Sequence, residues 1–250
     1  MAYRFNVMEY VKVFCKFIAS YFYILALVLP LQACSSSYTA APIDIWVVDD
    51  ETGAPLDKVI VTANWQLKGG LEGGNNIGQM KVIEAISDKM GHISFPAWGP
   101  IRNTSGGYIR EEAPRLLIFK DGYSYLRLFN QVGTAERPGP ALTSDWNNKT
   151  VRLTKFNGSA DEYAEQIYDL NNHMANIFDN EDGIKACNWK RIPQMILTLN
   201  DLSLSFDEKG IKLKGWRIGQ QILRIESIPT KPHCGSTQDF FRSYLKHEGS

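Results

Sequence analysis

The stretch VVDDETGAPLDKVIVTA, residues 47–63, decides the predicted fold. Its apolar beginning leads into a centre dense in turn formers, 49–55, and then into a Val-rich end where apolar side chains alternate over 59–63. Alternation with a period of two is typical of a strand with one buried face. Gly53 can take the positive φ that a tight turn requires. Two strands joined by a short turn are therefore predicted here.

Similar short runs lie on both sides of this stretch, separated by clusters of Gly, Pro, Asp and Asn. The runs with strand character are 43–48, 59–63, 80–86, 93–95, 115–120, 123–129 and 150–153. About seven short strands with turns between them predict an antiparallel β-sandwich over residues 43–154.

Two segments of this sandwich, 47–63 and AISDKMGHISFPAWGP at 85–100, resemble the carboxypeptidase regulatory-like domain, which is a prealbumin-like sandwich. The positions that match the family are Thr52, Gly53, Pro55, Leu56, Val59, Val61, Asp88, Gly91 and Phe95. Asp57 and Lys58 stand where the family has a Gly before the Val-rich strand. The resemblance implies a fold for residues 43–154 and no activity, because the motif consists of turn and strand residues.

No catalytic motif accompanies this resemblance. The His-x-x-Glu zinc motif of metallocarboxypeptidases is absent from the sequence, as are the Gly-x-Ser-x-Gly elbow and the Walker-type Gly-Lys-Ser/Thr. The four histidines have no second ligand at a recurring spacing: His92, His173, His233 and His247. The sequence therefore predicts a non-catalytic protein with no metal site and no cofactor.

The first 33 residues have the pattern of a secretory signal. Three basic residues precede an uncharged apolar run over 17–31, which is shorter than the roughly 20 residues of a membrane-spanning helix. The run ends in Leu31-Gln32-Ala33-Cys34, which resembles the lipobox of bacterial lipoproteins.

The lipobox resemblance implies cleavage before Cys34 and attachment of acyl chains to this cysteine. Residues 34–42 would then be a tether, and a Ser after the lipidated cysteine points to the outer membrane. The alternative is an uncleaved membrane anchor that happens to end near a cysteine. Both interpretations hold the following domain at a membrane.

The charge balance excludes one class of partner. The 250 residues include 27 basic and 27 acidic ones, and removal of the signal takes away three basic and one acidic residue. The remaining 24 and 26 give a net charge of −2. A protein that binds the phosphate backbone of nucleic acids needs a surplus of Lys and Arg, so no nucleic acid is expected as a partner.

The cysteines predict one disulfide. Cys15 lies in the signal and Cys34 in the lipobox, which leaves Cys187 and Cys234. In an oxidising periplasm two remaining cysteines are more often paired than free. A metal site is the weaker alternative, because only His233 lies beside either cysteine and no Cys-x-x-Cys spacing is present.

Residues 155–250 change to helical patterns. Ser159 and Glu162 form a capping box, and apolar residues then recur at intervals of three and four up to about 180. Pro193 suits a first helical turn, and a second capping box spans 236–239. The predicted fold class is α+β, with the sandwich followed by a small helical region, 155–250, that is tied by the disulfide.

The long loop 97–114 is the candidate binding segment. Loops of this length are often functional, and aromatic residues and Arg carry much of the binding energy at interfaces. The possible ligand-binding residues are Trp98, Arg102, Tyr108 and Arg110. Two interpretations stay open: these side chains share a partner-facing surface, or Trp98 packs over the open end of the sandwich.

Three other segments have simpler interpretations. The Gly-rich segment 69–78 is a hairpin connection rather than a phosphate cradle, since neither a Lys nor a helix start follows. The carboxylates at 49–51 lack the register of a calcium loop and are expected to form a solvated turn. Glu111 and Glu112 are candidates for a hydrolase, but adjacent side chains on a loop point apart more often than they converge.

Together these patterns predict a lipid-anchored lipoprotein that faces the periplasm, with a non-catalytic role in binding, assembly or scaffolding. Its expected partners are the membrane, through Cys34, and other envelope proteins or glycan. The alternatives are a glycan- or peptide-binding module that uses loop 97–114, and a periplasmic hydrolase.

Overall fold

The computed structural model describes residues 36–70, 74–131, 141–178, 181–211 and 222–245. Cys34 and the signal over 1–33 lie outside these residues, so lipidation stays a prediction. Within the described ranges, no helix combines the length and the apolar character needed to cross a bilayer.

Eleven strands form in the described ranges, and they belong to three sheets. The strands are β1 (Ser37–Ala40), β2 (Ile43–Asp49), β3 (Ile60–Gly69), β4 (Asn75–Ile86), β5 (His92–Phe95), β6 (Trp98–Arg102), β7 (Tyr108–Ile109), β8 (Arg115–Phe119), β9 (Leu126–Leu128), β10 (Ala141–Leu142) and β11 (Lys149–Leu153).

The sheets are not all antiparallel, which corrects one part of the predicted fold class. The sheet β4-β3-β8-β9, with β7 also on β3, is antiparallel throughout. The sheets β11-β2-β5 and β10-β1-β6 each contain one parallel pair, β11 with β2 and β10 with β1. Alternation within one strand predicts which face is buried but not the direction of the neighbouring strand, so the sequence could not reveal these pairs.

Residues 37–40, in the middle of the tether predicted over 34–42, form a strand instead of a linker. Ser37–Ala40 is strand β1, which pairs with β6 on one side and β10 on the other. The side chain of Ala40 is buried in the sandwich core. Small polar residues are usual in linkers, and here the backbone pairing with distant strands outweighs that local tendency.

Strand β3 is buried on both faces and joins the two cores of the molecule. Val61, Ala63 and Trp65 point into the sandwich, where they pack against residues of β2, β5 and β8. On the opposite face Ile60 packs with Val82 and with the helices. Every residue of β3 except Lys68 is buried.

In the part of the chain that the structure describes, four α-helices follow β11: α1 (Ala160–Phe178), α2 (Glu181–Lys185), α3 (Pro193–Glu208) and α4 (Thr237–Leu245). Short 3₁₀ helices lie at Asn188–Arg191, Ile225–Ser227 and Pro232–Cys234. From Ser37 onward the chain forms one compact unit, in which the helices and the outer face of the β3–β8 sheet share a core.

The predicted start and buried stripe of α1 are confirmed. The backbone N–H of Ser159 donates to Glu162 Oε2 at 2.7 Å, and the N–H of Glu162 donates to Ser159 Oγ at 3.3 Å. The stripe of Ile167, Leu170 and Met174 is fully buried. It packs in the same core as Leu117 and Phe119 of β8.

The predicted disulfide is confirmed. Cys187 and Cys234 are bonded, with their Cα atoms 5.6 Å apart. The bond joins the turn before the 188–191 helix to the segment that leads into α4. Nearby, the indole of Trp189 meets the ring of Phe240 edge-on, with centroids 5.1 Å apart, so the disulfide borders a packed aromatic cluster.

The turn at 49–55 is not solvated at its first carboxylate. Asp49 is 3% exposed. Its Oδ1 accepts from the N–H and hydroxyl of Thr52, both at 2.9 Å, and its Oδ2 accepts from the Tyr123 hydroxyl at 2.9 Å. The N–H of Thr52 is the main cause that lowers the pKa of Asp49 to about 2. Asp49 therefore organises the turn as a buried hydrogen-bond acceptor.

Glu84 of β4 caps the N-terminus of α3. The backbone N–H groups of Gln194 and Met195 donate to its Oε1 and Oε2, both at 2.9 Å. The first N–H groups of a helix have no acceptor within the helix, so this carboxylate satisfies two of them from the sheet. The net pKa of Glu84 is raised to about 7, because the effect of burial exceeds the opposite effect of the two N–H groups, which favour the charged carboxylate.

We expect Glu84→Ala to lower the free energy of unfolding by about 1–2 kcal/mol, as loss of an N-cap does, because two N–H groups lose their acceptor.

The variant Glu84→Gln tests how the ionisation of Glu84 affects stability, because glutamine has a similar shape and does not titrate. Since the folded pKa of about 7 lies above the ordinary 4.5, the folded protein holds this proton more tightly than the unfolded chain. Wild type should therefore lose stability relative to Glu84→Gln as pH rises from 4.5 to 7, measured by urea denaturation.

The control is Glu165→Ala, which removes an exposed carboxylate from α1. It should change the free energy of unfolding by less than about 0.5 kcal/mol. An equal loss in Glu84→Ala and Glu165→Ala would contradict the capping role of Glu84.

Candidate anion-binding cleft

A cleft of about 300 Å³ opens beside the end of β3, on the face of the sheet opposite the sandwich core. We call it the basic cleft. Its walls come from β3, from the segment between β7 and β8, and from the residue after β9. The lining residues are Gln66, Lys68, Arg110, Glu112, Ala113, Arg115 and Phe129.

Strand register explains why side chains distant in sequence meet here. Asn64 of β3 lies opposite Arg115 of β8, and Leu117 of β8 lies opposite Arg127 of β9. Residues that are directly opposite, and residues two apart on one strand, share a face of the sheet. The polar positions of β3 therefore lie on the same face as the two arginines.

Positive charge exceeds negative charge in the basic cleft. Lys68, Arg110 and Arg115 line it together with one carboxylate, Glu112, which lies 4.0 Å from Arg110 Nη1. Burial lowers the pKa of Lys68, and the charges of Arg115 and Arg110 lower it further. The cations thus repel one another, and an anion in the cleft would relieve that repulsion.

A fourth cation lies beside the same wall. The guanidinium carbons of Arg115 and Arg127 are 5.3 Å and 5.7 Å from the centre of the Phe129 ring. Burial lowers the pKa of Arg115, and the charge of Arg127 is the next cause. Phe129 therefore holds two guanidinium groups against one aromatic surface.

A narrower space continues from the basic cleft toward α1. This crevice, of about 40 Å³, shares Gln66, Arg115 and Phe129 with the cleft and is bordered by Asn64 and His173. Asn64 and Gln66 are 6% and 5% exposed. Among the described residues, Asn64 Oδ1 and Gln66 Oε1 have no hydrogen-bond partner.

Helix α1 fixes the position of Arg127 through a polar network. Arg127 Nη1 lies 3.0 Å from His173 Nδ1. Arginine can only donate, so Nδ1 accepts and the ring proton of neutral His173 sits on Nε2, which lies 3.6 Å from Asp169 Oδ2. The hydroxyl of Tyr125 also donates to Asp169 Oδ2. Both nitrogens of His173 thus face groups of the protein itself.

Asn130 anchors the segment that carries Arg110 and Glu112. Its Nδ2 donates to the carbonyl of Glu111 at 3.1 Å and to that of Thr143 at 2.9 Å, and its backbone N–H donates to the carbonyl of Glu112. The side chain is buried. These hydrogen bonds connect the 110–113 wall of the cleft to the 141–145 segment.

The structure separates the four candidate residues of loop 97–114. Trp98 is 9% exposed and meets Trp65 edge-on in the sandwich core, with ring centroids 5.2 Å apart, so it takes the packing role. Arg102 and Tyr108 are exposed, at the end of β6 and on β7. Arg110 is the member of this set that lines the basic cleft.

The other predicted positions contribute less to a site. Glu112 lies in the basic cleft, but Glu111 does not line it. Cys187, His233 and Cys234 lie close enough to suggest a metal site, yet the two sulfur atoms are bonded to each other, and His233 Nε2 lies 2.8 Å from the carbonyl of Lys185. Cys34 lies outside the described residues.

Sequence reasoning missed Lys68, Arg115, Arg127 and the two amides. One signal was present: every second residue from Thr62 to Lys68 is polar, inside a strand whose other residues are apolar. Such a strand is ordinarily half-exposed. Only the long-range pairing shows that arginines stand beside these positions.

Comparisons with known proteins identify no family. No family model matches the chain, and no curated protein does. Among solved structures, 3-chlorocatechol 1,2-dioxygenase from Rhodococcus opacus is 17% identical over 50% of this chain and 63% of that one, with a TM-score of 0.30. The major pilin SpaD from Corynebacterium diphtheriae is 12% identical over 46% and 30%, with a TM-score of 0.26.

A dioxygenase domain from Streptomyces is 14% identical over 50% of this chain and 83% of that one, with a TM-score of 0.27. The chain spans less than two thirds of the length of the Rhodococcus and Corynebacterium proteins. At TM-scores this low, these likenesses carry no argument about what the chain binds or does.

We expect the pKa of the His173 imidazole to lie below its ordinary value of 6.5, first because of burial and then because of the charge of Arg127. Arg127→Met should therefore raise this pKa, while Asp169→Asn should lower it further, since the Asp169 carboxylate favours the protonated ring. NMR titration of the imidazole measures all three values.

The two substitutions are matched, because they remove opposite charges from the two sides of one ring. Shifts of the same sign in both variants would contradict the network described for His173.

Since the folded pKa of His173 is lowered, protonation of this residue should reduce the stability of the protein as pH falls below 6.5.

Proposed function

We propose that this protein is a non-catalytic binding module of the bacterial cell envelope, and that it holds an anionic group in the basic cleft. The observation that supports the proposal is the convergence of Lys68, Arg110 and Arg115 on one cleft, where the described lining residues include a single carboxylate. In a chain with equal numbers of basic and acidic residues, such a local excess is not a consequence of composition.

The chemistry of the cleft favours the binding of an anion. Guanidinium groups present several N–H donors in a plane and bind carboxylate or phosphate oxygens in pairs. Arg115 and Arg127 are both held against Phe129, and Arg127 is also held by His173, so their orientation is set before a ligand arrives. A preorganised site loses less entropy on binding.

Binding is proposed rather than catalysis because of how the proton-transfer groups are placed. Glu112 Oε1 lies 4.0 Å from Arg110 Nη1. His173 has Arg127 on one ring nitrogen and Asp169 on the other. A general base needs a nitrogen or oxygen that reaches the substrate, and both ring nitrogens of His173 face groups of the protein.

The envelope location rests on the sequence. The lipobox ending at Cys34 supports a lipid anchor that faces the periplasm, and Ser35 supports the outer membrane. The resemblance of 43–154 to the carboxypeptidase regulatory-like domain supports a prealbumin-like topology for the sandwich. The alternative proposal, a ligand-binding loop over 97–114, shares Arg110 with the basic cleft.

The binding proposal predicts that the full chain, in a non-ionic detergent at low salt, binds inorganic phosphate measurably by calorimetry. Lys68→Gln and Arg115→Gln should each weaken binding about tenfold, because a charge-assisted hydrogen bond contributes about 1.5–3 kcal/mol and 1.4 kcal/mol is a factor of ten. Added NaCl should weaken binding through screening.

Lys149→Gln and Arg152→Gln are the matched controls, since both residues are exposed on β11 in a different sheet. They should leave the affinity within about twofold. If they weaken binding as much as the cleft variants do, phosphate binds to the protein surface in general and the proposal is wrong.

The location proposal predicts that the full chain incorporates a labelled fatty acid when it is expressed in a bacterium, because the lipobox cysteine is acylated. Cys34→Ala should abolish the label, and a Cys187→Ala, Cys234→Ala double variant should retain it. A label that persists in Cys34→Ala would overturn the assignment of this cysteine.

A further inference from the structure

Two buried amide side chains lie beside the cations: Gln66 lines both the basic cleft and the crevice, and Asn64 lines the crevice. Asn64 and Gln66 are more than nine-tenths buried, and their carbonyl oxygens have no hydrogen-bond partner within the described ranges. A buried acceptor without a donor costs about 1–3 kcal/mol, and such groups are rare in folded proteins. Two of them side by side, next to four cations, therefore suggest a ligand that supplies the missing donors.

A carboxylate ion or a fully ionised phosphate monoester, such as methyl phosphate, has only acceptor atoms. It pairs with guanidinium and ammonium groups but leaves amide oxygens unsatisfied. A hydroxyl group both donates and accepts, and an amide offers an acceptor beside a donor. A hydroxyl therefore matches Asn64 or Gln66 whichever way the amide group is turned.

The two spaces have the size for such a ligand. The basic cleft, at about 300 Å³, is at the lower end of the range for small-molecule sites, roughly 300–1,000 Å³. The crevice, at about 40 Å³, exceeds the roughly 10–15 Å³ that one water needs. It has room for a hydroxyl or hydroxymethyl group beside Asn64, whereas a second ring would not fit.

The shared residues connect the two spaces. Gln66, Arg115 and Phe129 line both the cleft and the crevice, so an anionic group on the arginines and a hydroxyl on the amides can belong to one molecule. The half-buried ring of Phe129 adds an apolar wall at the junction. An anionic group in the cleft beside Lys68 and Arg110 would therefore bring hydroxyl groups of the same molecule within reach of the crevice that Asn64 borders.

We infer that the basic cleft binds a monosaccharide-sized anion that carries hydroxyl groups, such as a phosphorylated or carboxylated sugar. This inference rests on the proposed function and specifies its ligand. Lys68, Arg110 and Arg115, which line the cleft, hold the anionic group, and Asn64 and Gln66 hold the hydroxyl groups.

Calorimetry with the full chain in non-ionic detergent tests this with two matched pairs of probes. Glucose 6-phosphate is compared with methyl phosphate, and glucuronate is compared with acetate, so each pair differs in the sugar. We expect at least one sugar anion to bind tenfold or more tightly than its matched anion. The pair that shows the larger ratio identifies the anionic group, and uncharged glucose should bind at least tenfold more weakly than the sugar anion of that pair.

Asn64→Leu and Gln66→Met replace the amides with apolar side chains of similar size. Each should reduce the ratio of the affinity for the sugar anion to the affinity for its matched anion by at least threefold. Thermal unfolding shows whether each variant is folded. Since the substitutions remove unpaired buried polar atoms, the unfolding temperature should not fall, and Gln66→Met serves if Asn64→Leu does not fold.

The outcomes distinguish this inference from the proposed function. If methyl phosphate binds and both sugar anions bind no more tightly than their matched anions, the inference is overturned and anion binding stands. If none of the anions binds, both are overturned. If the amide variants keep the full preference for the sugar anion, the hydroxyl groups are recognised elsewhere and the assignment of Asn64 and Gln66 is wrong.

Discussion

Burial of β3 on both faces is the constraint on which the rest of the structure depends. Its inner face completes the sandwich core, so its outer face needs a second layer to cover it. At Ile60 that face is apolar and the helices pack on it. Toward Lys68 it is polar, and there the helices give way to the basic cleft. The change from apolar to polar along one strand therefore sets both where the helical layer lies and where the candidate site opens.

The parts of the fold that depend on local chemistry could be predicted from the sequence. The capping box at Ser159 and Glu162 is satisfied within four residues, and the disulfide follows from counting cysteines in an oxidising compartment. Pairings between distant strands could not be predicted, and the role of β1 as a strand is one of them. Glu84 shows the same limit, because its helix partner lies more than a hundred residues away and no motif connects them.

Sequence reasoning reached the candidate site only at Arg110 and Glu112. Aromatic residues and arginines in a long loop favour a binding surface, but Trp98 has enough apolar area to be more stable against Trp65 in the core than at the surface. The other cations of the cleft come from separate strands, β3, β8 and β9, and only the register places them on one face. A site built by register leaves no compact motif in the sequence.

The two parallel pairs have a consequence for how the chain folds. The ladder between β2 and β11 joins residues about a hundred positions apart, as does the one between β1 and β10, whereas hairpins close within a few residues. Contacts of such long range slow folding, because much of the chain must be ordered before they form. Until β11 has been synthesised, one edge of β2 stays unpaired and open to association with other chains. The sandwich thus closes late, and the interval before closure is when the nascent protein is most exposed to aggregation.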